Sequence, residues 1–151
     1  MHLATYIGIV HSAEKQLAKE LRRIADKHSD EPDMEHMCKK LASWSESHEQ
    51  GLRPFIGKYS EDRSSTEPER LESLFNKSRT GSMGMLRDLH DLWLLTQEVI
   101  MCWKVIIQAA QGLRDEELVS KSKEFQEETN RQSTWLQTRI KQAAPQTLLV
   151  S

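Results

Sequence analysis

HSAEKQLAKELRRIA, residues 11–25, decides the fold class to be expected. It is built almost wholly from strong helix formers. Leu17, Leu21 and Ile24 recur at three- and four-residue steps, so they line one face of a helix. The same face extends backwards through Val10, Ile7 and Leu3. One member of the stripe, Glu14, is polar. The spacing predicts a first helix over Leu3–His28, ended by the run His28-Ser29-Asp30-Glu31-Pro32-Asp33. Pro32 forbids simple continuation, and Asp33 can cap the next helix.

Working outward, Met34, Met37, Leu41, Trp44, Leu52, Phe55 and Tyr59 mark a second helix over Met34–Tyr59. His48 fills the gap in its stripe, and Gly51 with Pro54 predicts a kink. The short link makes the first two helices antiparallel neighbours. Ser60–Ser82 is polar, with a predicted short amphipathic helix over Pro68–Phe75, starting near Thr66 or Glu67. Its Leu71, Leu74 and Phe75 would cover the bundle. So long a connector is no hairpin turn, and it predicts a third helix parallel to the second. That helix, Met83–Gln111, carries two apolar stripes: Leu86, Leu89, Trp93, Ile100, Trp103 and Ile107, and Leu95, Val99, Cys102, Ile106 and Ala109. A helix apolar on both flanks sits deep. Gly112 is its predicted C-cap. Asp115 starts a fourth helix running to Gln142, with Leu118, Ser122, Phe125, Thr129, Gln132, Leu136 and Ile140 inward and Pro145 as its stop. The expectation is an all-α, single-domain four-helix bundle over residues 1–151, with one long crossover between the second and third helices.

The 151 residues carry a net charge of −2, with both signs well mixed. No basic stripe is present, which argues against nucleic acid as a partner. Cys38 and Cys102 fall on different helices and form no CxxC pair, so they read as small buried side chains. The first sixteen residues read as helix rather than as a leader. Thr96, Gln97, Glu98, Lys104 and Gln108 interrupt Leu92–Ala110, which predicts a core helix, no membrane partner and a cytoplasmic protein. There is no G-x-S-x-G, and the glycines of Thr80–Met85 lack the lysine of a phosphate loop.

Four polar residues break the apolar stripes: Glu14, His48, Glu98 and Glu128. Each lies near the middle of its own helix, so all four are expected at one depth. A buried, unpaired carboxylate is costly or becomes protonated, so something must compensate it. Three carboxylates and an imidazole suit iron or manganese better than a structural zinc. Glu98, bordered by Leu94, Leu95, Met101 and Cys102, is expected to be the most enclosed. His11, one turn before Glu14, reads as a surface histidine.

In element order, and in the segment HSAEKQLAKELRRIA, the chain resembles the ferritin-like superfamily, especially its small bacterial stress-associated members with one bundle per chain. That family places a Glu on the first and third helices and Glu-x-x-His on the second and fourth. Here the second helix has Ser45-Glu46-Ser47-His48 and the fourth has Glu128-Thr129-Asn130-Arg131. Against the family's di-iron pattern, one bridging carboxylate and one imidazole are missing. The resemblance therefore implies a partial site, with two readings open. In one, a single iron or manganese ion is held by Glu14, His48, Glu98 and Glu128, and the chain handles metal or reacts with oxygen or peroxide. In the other no metal binds, the Arg131 guanidinium satisfies the carboxylates, and the bundle acts by self-association or by binding another protein. A homodimer through an outer helix face is common for such bundles.

Overall fold

A computed structural model describes residues 2–59, 71–76 and 79–150. It contains α1 (Leu3–Lys27), α2 (Pro32–Lys58), α3 (Gly81–Leu113) and α4 (Glu116–Leu149), with a short 3-10 turn at Glu72–Phe75. No strand occurs among the described residues. The stripe read on α1 is the buried one: Leu3, Ile7, Val10, Leu17, Leu21 and Ile24 all lie in the core, with Glu14 among them. On α2 the buried face runs through Met34, Cys38, Leu41, Ala42, Ser45, His48 and Leu52, which leaves Trp44 at the rim.

Contacts at the helix ends fix their directions. His28, after α1, meets Asp88 near the start of α3 at 2.9 Å. Lys58, at the end of α2, reaches Asp115 before α4 at 2.9 Å, and Arg139 late in α4 reaches Asp33 at the start of α2 at 2.6 Å. Thus α3 is antiparallel to α1, and α4 is antiparallel to α2. The α1–α2 pair is antiparallel too, so α2 and α3 point the same way. Packing is most intimate within the hairpins α1–α2 and α3–α4, less so between α1 and α3, and least between α2 and α4.

Several boundaries depart from expectation for local reasons. Pro32 opens α2 rather than preceding it, because the first helical turn needs no N–H from that position. Asp33 is therefore inside the first turn, where it pairs with Arg139 instead of capping. At the end of α3, Arg114 takes the left-handed conformation (φ 57°), not Gly112. The N–H groups of Arg114 and Asp115 close on the carbonyls of Gln111 and Ala110, which offsets the cost of about 1–2 kcal/mol for a residue with a Cβ. Asp115 caps α4 as expected, accepting from the Leu118 N–H at 3.1 Å. Pro145 does not stop α4, which continues to Leu149. The carbonyl that Pro145 leaves without a partner is that of Lys141, an exposed residue whose backbone water can serve.

Between α2 and α3, Phe75 is buried and Leu71 and Leu74 pack on the core, as read from sequence. Arg23 holds this turn by donating to the Phe75 carbonyl at 2.8 Å. The predicted start of that element, from Thr66 to Arg70, lies outside the described residues. Helix α3 is buried on two flanks. Its polar interruptions weigh less than expected. By length and composition alone it is apolar enough to cross a membrane, with a best window of mean hydropathy 1.3, half of which is buried within the bundle.

Candidate functional site

Glu14 and His48 are each 0% exposed. On α1 and α2 they occupy stripe positions that hairpin packing drives inward. His48 Nδ1 lies 2.5 Å from Glu14 Oε2, and His48 Nε2 lies 2.8 Å from Glu128 Oε1. One imidazole thus joins carboxylates from α1 and α4. The Glu128 side chain is 30% exposed, so its charge keeps some solvent.

Aromatic rings enclose the imidazole. Phe125 lies tilted against it with centroids 4.7 Å apart, and Trp103 presents an edge at 6.4 Å. Phe125 reaches this place because residue 51 is glycine: a Cβ there would stand 2.5 Å from the tip of the ring. Close approach of the Phe125 ring is a structural use of Gly51.

Both ring nitrogens of His48 face carboxylates, an arrangement that favours the imidazolium form, which donates from both. Burial opposes that charge, but the field of Glu14 and the hydrogen bonds with Glu14 and Glu128 together outweigh it. The ring is therefore held protonated above its ordinary value of 6.5.

One turn from His48 along α2, Ser45 accepts from Gln132 Nε2 at 2.9 Å. The same Nε2 also donates to the Leu41 carbonyl at 2.9 Å. A serine stands where the family pattern has a bridging glutamate, and a neutral amide of α4 answers it. Gln132 is the member of the site that sequence reasoning passed over. Its signal was present: it sits on the inward stripe of α4, one turn after Glu128. Among the described residues, Glu14 Oε1, Gln132 Oε1 and Trp103 Nε1 in these layers have no hydrogen-bond partner.

The remaining expected members lie elsewhere. Glu98 is half-buried, not the most enclosed carboxylate, and takes the Cys102 thiol at 3.8 Å. It lies one turn before Met101 on a flank that turns outward, since Met101 is 58% exposed. Arg131 is exposed and pairs with Glu127 at 3.1 Å. The inward face of α4 runs through Phe125, Thr129, Gln132 and Leu136, so Glu128 stands at its rim and residue 131 points to solvent. The group among the central carboxylates is the His48 imidazole rather than the Arg131 guanidinium. His11, part-buried rather than a surface histidine, bonds Glu49 at 2.8 Å.

This donor set does not fit one metal ion shared by all four residues. The two nitrogens of an imidazole point away from each other, so an ion at either one meets only one of the two carboxylates bonded to the ring. Among the described residues no group of three or more His, Cys, Asp or Glu side chains is arranged to hold a metal. Comparison with known proteins adds no relative: no family model, no curated protein and no solved structure matches the chain.

Proposed function

We propose that the chain is a ferritin-like bundle, with a long crossover from α2 to α3, in which protonated His48 stands where metal-bearing relatives hold an ion. On this reading it is a non-catalytic cytoplasmic protein that works by association, with a second copy or with another protein. The observation that carries the proposal is the bonding of both His48 nitrogens to carboxylates from two different helices. A buried charge network of this kind specifies how helices fit together more than it adds stability.

The test is the ring 15N spectrum of His48 in chelator-treated protein near neutral pH, with metal analysis of protein purified without chelator. Two protonated nitrogens and only trace metal are expected. An equivalent of iron or manganese, with a rise in Tm on adding it, would overturn the proposal. One observation favours a metal-handling second reading, namely the unpartnered Oε1 of Glu14, an acceptor facing the core. The same metal analysis decides between the two.

A further inference from the structure

The four seams of the bundle are not alike. Within α1–α2 and α3–α4 the helices pack closely, and α1 meets α3 less closely, with Lys27 and His28 bonding Asp88 at one end. The seam between α2 and α4 is the loosest and is held by polar rungs spaced along its length. At one end Lys58 and Tyr59 bond Asp115. At the centre His48 bonds Glu128, and a turn away Gln132 bonds Ser45. At the far end Arg139 bonds Asp33.

The face that α4 turns inward is half polar: Ser122, Thr129, Gln132 and Ser133 are buried beside Leu118, Phe125, Leu136 and Ala143. Ser122 Oγ and Gln132 Oε1 find no partner there. Water satisfies such atoms as soon as the seam parts, so opening recovers their lost hydration. Unpartnered atoms also lie on α1 (Glu14 Oε1) and α3 (Trp93 Nε1, Trp103 Nε1), so it is the looser packing that sets the α2–α4 seam apart.

We propose that the bundle opens like a book, with α1–α3 as the spine and α2–α4 as the free edge, exposing the Glu14–His48 layer without unfolding the helices. This opening is distinct from global unfolding and belongs to the class of sub-global motions in which packed units separate first.

The chain carries its own reporters. Cys38 is fully buried on α2, on the same stripe as Ser45, two turns away. Cys102 is 2% exposed on α3 and belongs to neither helix of the seam. Thiol labelling of the native protein, with each site read by mass spectrometry, separates the two motions. Cys38 is expected to react at least tenfold faster than Cys102, at a rate nearly independent of low denaturant. Equal rates that both follow global unfolding would overturn the proposal. Arg139→Ala, which removes the rung nearest the α2 start, should speed Cys38 at least threefold and leave Cys102 unchanged. No effect on Cys38, or the same effect on both thiols, counts against the open edge.

Discussion

Two histidines are buried in this bundle, and they are satisfied in opposite ways. His48, at the centre, lies bonded between two carboxylates. His28, at the end where α1 stops and α3 starts, shares Asp88 with Lys27 at 3.2 Å and with Arg79 at 3.6 Å; Arg79 also pairs with Asp91. At the end, the charge of Asp88 is answered by permanent cations. At the centre it is the imidazole that must answer Glu14. The burial is similar, but the dependence on one side chain is not.

The largest effect should come from breaking that dependence. His48→Leu strands Glu14 in the core and should cost about 3–5 kcal/mol, the range for removing one partner of a buried pair. His28→Leu removes one of several partners of Asp88 and should cost about 1 kcal/mol. Urea unfolding of both variants checks this, and equal losses would erase the distinction between the two layers. Next comes Gly51→Ala, whose Cβ collides with the Phe125 ring over His48. Overpacking of this kind costs about 1–3 kcal/mol and should perturb the His48 ring signals while leaving those of His28 in place.

The pH dependence sharpens the contrast. Because the folded state raises the His48 value above 6.5, its contribution is complete below that value and is lost as pH rises through the folded one. Stability should therefore fall on the alkaline side, in step with loss of a ring proton from His48. On the acid side Glu46, held low by its hydrogen bonds from Arg22, and Glu49, held low by Arg53 and His11, lose their contribution as pH drops below the usual 4.5. An alkaline limb that persists unchanged in His48→Leu would assign the effect to another group. The smallest effect is expected from Arg131→Leu, within about 0.5 kcal/mol by melting, since that guanidinium lies at the surface with Glu127.

Much of this was legible from residues alone. Helical periodicity located all four helices, and the polar breaks in the stripes singled out Glu14, His48 and Glu128, which do meet. At the site, three points were not legible, each for a geometric reason. Periodicity gives the rotation of a helix only to about one residue, and that margin separates Arg131 from Gln132 on α4. Apolar neighbours in sequence do not enclose a residue whose flank turns outward, which is why Glu98 is half-buried. A glycine inside a helix does not announce whether it serves flexibility or space, and only the Phe125 ring reveals the use of Gly51.

The contact between Gly51 and Phe125 has an evolutionary corollary. The two positions occupy one volume, so they are not free to drift independently. A descendant with alanine or serine at 51 would keep the core only with a smaller side chain at 125, and that change would uncover the imidazole of His48. A pair of positions 74 apart in the chain should therefore vary together, with position 48 losing its histidine wherever the pair has changed.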